Sequence, residues 1–203
     1  MANWEFPGSE PIEIFIDIAV GSVVVSGEPA DSTTVEVRAV DHIGPRPHGE
    51  VRVSYNAGRL EIVQPKSTGF TRGQVSLDVT VRAPARSHGT IRTATASVSC
   101  VGELAALDAR TASGHVNVVS VSGTVAVNTA NGDIWLEQVA GPVAARSASG
   151  DIRLGHAMGT VAVQTASGDI DIARVAEGEA NVKTISGDTT IGVTPGAVVY
   201  LDL

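Results

Sequence analysis

The sequence repeats itself every 18 residues through its C-terminal half. Five similar segments follow one another along the chain: TASGHVNV (111–118), TANGDIWL (129–136), SASGDIRL (147–154), TASGDIDI (165–172) and TISGDTTI (184–191). Their glycines are evenly spaced except in the last interval, which is longer by a single position, and we expect the insertion near Gly178. A fixed period of this kind is typical of repeat architectures, in which stacked units share one core.

Weaker copies lie between these segments, with Gly123, Gly141 and Gly159 midway between the strong glycines. Two and four positions after a strong glycine the side chain is aliphatic, as in Ile134 and Leu136, and this alternation indicates a strand. Each half-repeat is too short to contain a crossover helix. We therefore predict an all-β fold, a parallel β-solenoid (β-helix) with 18-residue coils stacked about 4.8 Å apart.

The N-terminal part is also strand-like, but it lacks the regular period. Its alternating segments are TTVEVRA (33–39), VRVSY (51–55), LEIV (60–63) and QVSLDVTVRAP (74–84). The NAGR sequence between segments 51–55 and 60–63 predicts a hairpin turn. Residues 33–39 are expected to close a first coil of the solenoid. We predict that residues 1–92 form an irregular β-rich cap region that begins the stack and is continuous with regular β-solenoid coils over 93–203.

Composition and charge narrow the classes of function. The formal net charge is -8, which argues against nucleic acid as a partner, since binding to phosphates depends on Lys and Arg. The one cysteine, Cys100, falls in an inward strand slot and is expected to be a buried structural thiol. No signal peptide and no membrane span is recognisable. We expect an acidic, soluble, cytoplasmic protein, or one at the cell surface if a leader was trimmed from this chain.

The SGDI/SGDV motifs that recur with this period, after an alternating strand that ends in VRAP, resemble a bacterial family of β-strand-repeat proteins. That family carries the name putative adhesin, and its function is unknown. The resemblance covers about residues 10–200. It implies a parallel β-solenoid and no enzymatic activity, and it brings no catalytic residues with it.

An aspartate ladder is the first candidate site. Asp133, Asp151, Asp169 and Asp188 each follow a repeat glycine, with His115 in the same slot one repeat earlier. Stacked carboxylates repel one another, and calcium, which takes several oxygen ligands, would relieve that repulsion. The alternative is that each carboxylate accepts hydrogen bonds from turn amides. The weaker half-repeats lack the aspartate, so we favour the turn interpretation and predict no metal and no cofactor.

Two further rows of side chains are candidates for binding. The hydroxyl row of Thr129, Ser147, Thr165 and Thr184 could order water on a flat face or bond to the backbone. We favour the backbone, because Asn128, Arg146, Gln164 and Lys183 beside it do not make a flat face. The outward row contains Asn117, Trp135, Arg153 and Asp171. An exposed Trp135 near Arg153 and Asp171 is typical of a binding surface.

These observations favour a non-catalytic, adhesin-like scaffold that presents repeated side chains to a protein or a glycan. One alternative is a carbohydrate-active β-helix lyase or glycosidase that uses Asp151, His156, Asp169 and Asp171. The regular repeats lack the long loops that would build a substrate groove, so we predict that the chain is not an enzyme. A further alternative is a self-assembling structural protein that stacks through the terminal coil and the apolar strand VVYLDL (198–203).

Overall fold

The protein is all-β in the ranges that its computed structural model describes, residues 1–40, 51–65, 75–176 and 179–194. The N-terminal strands are β1 (Ala2–Pro7), β2 (Glu13–Ile18), β3 (Gly21–Glu28), β4 (Ser32–Ala39), β5 (Arg52–Asn56), β6 (Arg59–Val63), β7 (Leu77–Pro84) and β8 (Ser87–Thr93). The repeat region contains β9 (Ser97–Thr111), β10 (Val116–Val121), β11 (Val125–Thr129), β12 (Ile134–Val139), β13 (Val143–Ser149), β14 (Ile152–Ala157), β15 (Val161–Ser167), β16 (Ile170–Val175), β17 (Ala180–Ser186) and β18 (Thr189–Val193). The predicted all-β class is confirmed.

In the repeat region, strands pair in parallel with the strand that lies one repeat later. The even-numbered strands β10 to β18 form one stack, which we call the even stack, with Val116 opposite Ile134. The odd-numbered strands β11 to β17 form the odd stack, with Val125 opposite Val143. The long strand β9 enters both stacks, because its first half pairs with β10 and its second half with β11. We call one odd-stack strand together with the following even-stack strand a coil.

The core lies between the two stacks and is filled by the alternating aliphatic positions of the repeat. Ile134 and Leu136 on β12 are at most 1% exposed, and Val125 and Val127 on β11 are fully buried. Branched aliphatic side chains suit this pleated environment, and each coil buries its core against its neighbours. Full burial of such a side chain contributes about 1.5–3 kcal/mol.

The insertion in the last repeat lies where the sequence predicts. Ala157 on β14 is opposite Val175, as the regular period requires, whereas Val161 on β15 is opposite Ala180, a single position later than the period requires. The insertion therefore falls between Val175 and Ala180. After the insertion β15 and β17 pair in one constant register, whereas the pairing of β16 with β18 shifts by a single position between Ile172 and Val175.

The chain order of the N-terminal strands differs from their order in space. In the odd stack, β2 pairs in parallel with β6 on one side and with β8 on the other. In the even stack, β3 lies in the same way between β7 and β9. The coil made by β2 and β3 is therefore inserted between two coils that come later in the sequence. β2 and β3 therefore form part of the stack itself, within the region 1–92 that the sequence predicts to be continuous with the coils.

Antiparallel strands close the N-terminal end of the stack. β4 pairs antiparallel with β7, β1 with β4, and β5 with β6. Residues 33–39 therefore cover the outer edge of β7, and the expectation that they close a first coil is wrong. The rings of Phe6 on β1 and Tyr55 on β5 stack with their centroids 4.8 Å apart, which ties the two sides of the cap together. The predicted hairpin is confirmed, with Ala57 and Gly58 as its two turn residues.

Glycines in the repeat turns allow consecutive coils to approach closely. A Cβ built on Gly132 would lie 2.2 Å from the carbonyl oxygen of Gly114 one coil earlier. No side chain fits at that distance, so the packing of the turns themselves explains why the repeat keeps glycine in this slot. The segment 198–203, to which the sequence assigns self-association, lies outside the described residues.

Candidate binding surface

The aspartate ladder lies at the corner where each odd-stack strand turns into the even stack. Its carboxylates accept hydrogen bonds from the backbone N–H of the next aspartate in the ladder. The N···Oδ1 distances are 2.9 Å from Asp151 to Asp133, 3.0 Å from Asp169 to Asp151 and 2.8 Å from Asp188 to Asp169. At the start of the ladder, Nδ1 of His115 accepts the amide of Asp133 at 3.2 Å. These bonds join successive coils, as the turn interpretation predicts, although the amide belongs to the neighbouring turn.

The same bonds determine what the aspartate ladder offers to a ligand. One oxygen of Asp133, Asp151 and Asp169 is occupied by a backbone amide in each case. Within the four described ranges, no three side chains of His, Cys, Asp or Glu come together in a group that could hold a metal ion. The arrangement therefore supports the turns, and it does not assemble the several convergent oxygens that calcium takes.

The hydroxyl row lies inside the fold. Ser147 and Thr165 are 7% and 1% exposed, and their hydroxyls donate to the carbonyl oxygens of Gly132 and Gly150 at 3.4 and 3.3 Å. Thr184 repeats this bond to Gly168 at 3.4 Å. The row therefore connects each coil to the preceding turn. The alternative of an exposed hydroxyl array for ordering water does not fit, because Thr129, Ser147 and Thr165 are buried.

Thr129 is the exception in this row. Its Oγ1 is buried and has no hydrogen-bond partner among the described residues. A buried hydroxyl without a partner costs free energy on folding. Thr129 therefore fills its slot with the shape of its side chain rather than with a bond.

The row that contains Trp135 projects from the even stack. The register places Asn117, Trp135, Arg153 and Asp171 side by side on β10, β12, β14 and β16. Trp135 is 56% exposed, so it projects from the sheet as its sequence position between Ile134 and Leu136 predicts. Arg153 also contacts Asp151 of the aspartate ladder, with 3.5 Å between Nη2 and Oδ2. The structure brings together the predicted binding residues Trp135, Arg153 and Asp171 in one straight row.

The four residues of the enzymatic alternative are on three different rows. Asp151 and Asp169 belong to the aspartate ladder, Asp171 to the Trp135 row, and His156 to a row with Gln138 and Arg174. Two shallow depressions stand out on the described surface. One is lined by Glu13, Ile14, Phe15, Arg59, His88 and Thr90. The other contains His156 with Ser120, Gln138 and Met158 but no carboxylate. Neither depression presents the paired carboxylates that glycoside hydrolysis requires.

Cys100 is buried, as its inward slot on β9 predicts. Burial raises the pKa of its thiol to about 12. The thiolate is the reactive form of cysteine, so this side chain is a packing residue and not a nucleophile.

The structure also reveals a basic row on the odd stack, which sequence reasoning treated only as an interruption of the hydroxyl row. Six neighbouring strands contribute one residue each: Arg92, Arg110, Asn128, Arg146, Gln164 and Lys183. The 18-residue interval that links Asn128, Arg146 and Gln164 also leads back to Arg110 and Arg92, and the strand register confirms that all six residues lie in one line. We call these six residues the basic row.

In its described ranges the protein is a stack of repeated strands without helices. Its outward side chains form rows, because equivalent strands pair in register. The Toastrack DUF4097 family model matches residues 68–197, and the chain belongs to that family. No curated protein matches the sequence. In the described part of the chain, no helix has the length and apolar character needed to cross a membrane.

Three solved structures are similar to this chain at low identity. A putative cell adhesion protein from Clostridium sporogenes is 12% identical, with 95% of this chain and 99% of that chain covered and a TM-score of 0.41. A putative adhesin from Bacteroides fragilis is 14% identical over 98% and 95% of the two chains, with a TM-score of 0.42. A putative lipid binding protein from Parabacteroides distasonis is 12% identical over 95% and 96%, with a TM-score of 0.36. At these scores the likeness adds no argument about function.

Proposed function

We propose that the chain is a non-catalytic β-solenoid scaffold of the adhesin type, whose outward rows bind a protein or a glycan. Two structural features support the scaffold role. Strands that lie one repeat apart pair in parallel, and the side chains between them fill one continuous core. In this proposal the cap region 1–92 and the coils of 93–203 form one body, with β8 pairing in parallel to both β2 and β9.

The exposure of Trp135 is the observation that carries the binding role. Its large apolar ring stands on a rigid sheet between Asn117 and Arg153, with more than half of its surface in contact with solvent. A preorganised tryptophan next to an arginine provides much contact energy at small cost in conformational entropy. The surrounding row supplies hydrogen-bonding groups at every strand, which suits a partner that is itself extended.

The geometry supports an enzyme less well. Asp151 and Asp169 are adjacent in the aspartate ladder, and one oxygen of each accepts a backbone amide. A glycosidase needs two carboxylates that face the scissile bond from opposite sides of a groove. The described depressions contain no such pair.

The proposal can be tested with Trp135 as its own reporter. The chain has two tryptophans, so Trp4→Phe leaves Trp135 as the single emitting residue. We expect that a ligand selected on a glycan array, or from purified envelope proteins, shifts the emission of Trp135 to shorter wavelength, because binding removes water from the ring.

A matched pair of variants distinguishes binding at the Trp135 row from nonspecific binding to any exposed apolar side chain. Met158 is also a large exposed apolar side chain, at 63%, but it lies outside the Trp135 row. Trp135→Ala should abolish binding of the selected ligand, whereas Met158→Ala should leave it intact. The proposed binding role fails if Trp135→Ala binds every selected ligand as tightly as the wild type does.

A further inference from the structure

The basic row lies on the face opposite the Trp135 row. Arg92, Arg110, Arg146 and Lys183 are all exposed. The chain as a whole is acidic, with a formal net charge of -8, and four of its 14 basic side chains are aligned here. This alignment makes a local positive line on an acidic molecule, and such a line attracts an anionic partner.

The acidic neighbours that the structure describes offset part of the positive charge at one end of the basic row, where Asp17 lies opposite Arg92 in the strand register, and they leave the charge at Arg146 and Lys183 uncompensated. The row beside it consists of Thr90, Asp108, Ala126, Ala144, Ala162 and Asn181. Asp108 pairs with Arg110 at 3.2 Å. Among the described residues, neither Arg146 nor Lys183 forms an ion pair.

The spacing along the basic row has a simple pattern. Arg110, Arg146 and Lys183 occupy alternate strands, with the amides Asn128 and Gln164 on the strands between them. Neighbouring strands are about 4.8 Å apart, so successive cations lie about 10 Å apart with an amide halfway. Cation and neutral hydrogen-bonding group therefore alternate from Arg110 to Lys183, and Arg92 adds a second cation beside Arg110.

This pattern matches an extended polysaccharide in which an acidic sugar alternates with a neutral one. One sugar of such a chain is about as long as one strand spacing, so its carboxylates would meet the cations and its neutral sugars would meet the amides. The methyl groups of Ala126, Ala144 and Ala162 form a low strip beside the cations, against which the sugar rings can pack. At the end of the row, Arg92 lies over the ring of Phe15 at 5.5 Å, which holds its guanidinium in place.

A nucleic acid fits the basic row less well. It carries a phosphate on every unit, and its binding depends on the number of phosphates that are neutralised. Two of the six positions are amides, and Asp108 reduces the charge that Arg110 offers. We propose that the basic row binds a linear acidic polysaccharide of alternating acidic and neutral sugars, which lies along the axis of the stack. This inference rests on the proposed scaffold function and names a glycan class for a second face.

The test uses a hyaluronan decasaccharide as the probe, with isothermal titration calorimetry at low ionic strength. Wild-type protein should bind it, and Arg146→Gln with Lys183→Gln should weaken binding by about tenfold, the loss of two exposed charge contacts. Arg82→Gln with Arg174→Gln removes the same charge from exposed positions of the even stack, outside the Trp135 row, and should change binding by less than about twofold. The double variant Arg146→Lys with Lys183→Arg, which keeps both positive charges, should bind the decasaccharide as the wild type does.

Four results would overturn the proposal: no binding by the wild type, equal losses from the two double variants, unchanged binding of a carboxyl-reduced decasaccharide, or equally tight binding of a thymidine oligonucleotide of the same charge. Since all the substituted side chains are exposed, circular dichroism and thermal melting should show unchanged folding. The Trp135 experiment uses the other face. If the polysaccharide test fails while the Trp135 row still binds its selected ligand, only the inference about the basic row is refuted.

Discussion

Oδ1 of Asp133 accepts a hydrogen bond from the backbone N–H of Asp151 at 2.9 Å, across the gap between two coils. The same bond recurs between Asp151 and Asp169. A residue that resembles an ion ligand in the sequence is thus a connector between turns in the structure. This is why our proposals place partner binding on the outward rows of the two faces rather than on this ladder.

Removal of one connector should weaken the stack by a small amount. Asp151→Ala deletes the acceptor for the amide of Asp169, and water can partly replace it at this exposed corner, so we expect a loss of about 0.5–1 kcal/mol in the free energy of unfolding. Asp151→Asn keeps an acceptor oxygen and removes repulsion between neighbouring carboxylates but gives up the ion pair with Arg153, so it should lose less stability than Asp151→Ala. Denaturant unfolding measures both. Glu137→Ala, an exposed acidic control, should be neutral, and a loss as large as that of Asp151→Ala would contradict this account.

Calcium should have no effect on stability. Because Asp133, Asp151 and Asp169 each already accept a hydrogen bond from a backbone amide, a cation gains no assembled group of ligands. We expect the same melting temperature in calcium and in chelator at equal ionic strength. A rise in melting temperature that depends on calcium and disappears in Asp151→Asn would show that the ladder binds the ion.

Two threonines in the same slot should respond oppositely to one substitution. Thr165 donates to the carbonyl of Gly150 at 3.3 Å, so Thr165→Val should cost about 1 kcal/mol. Thr129 is buried without a partner among the described residues, so Thr129→Val should be neutral or stabilise the fold by up to about 1 kcal/mol. Both changes preserve the shape of the side chain. Equal destabilisation in denaturant melts would mean that Thr129 has a bonded partner.

The buried thiol should make stability fall in alkaline solution. Burial raises the pKa of Cys100 from 9.0 to about 12, so between these pH values the unfolded chain has lost a proton that the folded chain keeps. This contribution to stability is complete below pH 9 and decreases as the pH rises toward 12, by about 1 kcal/mol between pH 8 and 10. The Cys100→Ala variant lacks this pH-dependent contribution, although the variant is less stable overall. Parallel stability profiles of the two proteins over this range would contradict the assignment.

The sequence predicts the repeat region well because each inward slot is marked by the residue itself. Val116, Ile134 and Ile152 recur at a constant interval, and the same interval determines the strand register. The outward position of Trp135 follows from its aliphatic neighbours in the same way. These features depend only on local alternation and period, which one sequence contains.

The arrangement of the N-terminal strands could not be predicted in the same way. β2 alternates like any other strand, and nothing in its residues specifies that it lies between β6 and β8. The pairing depends on which edges are left open by strands that lie far away in the sequence. The basic row, in contrast, could have been found from the sequence, since Arg92 and Arg110 precede Asn128 at the same 18-residue interval.

The most direct test of the account is the deletion of one coil. The central claim is that interchangeable coils of one repeat each form the scaffold, with no unique centre among the regular repeats. Deletion of residues 152–169 joins Asp151 to Ile170 and restores every register, so the protein should keep its circular dichroism spectrum and melt cooperatively at a moderately lower temperature. Deletion of residues 152–160 removes only half a coil. Because it stacks the two different kinds of turn on one another, it should prevent cooperative folding. Loss of folding in the first variant, or equal tolerance of both deletions, would contradict the account.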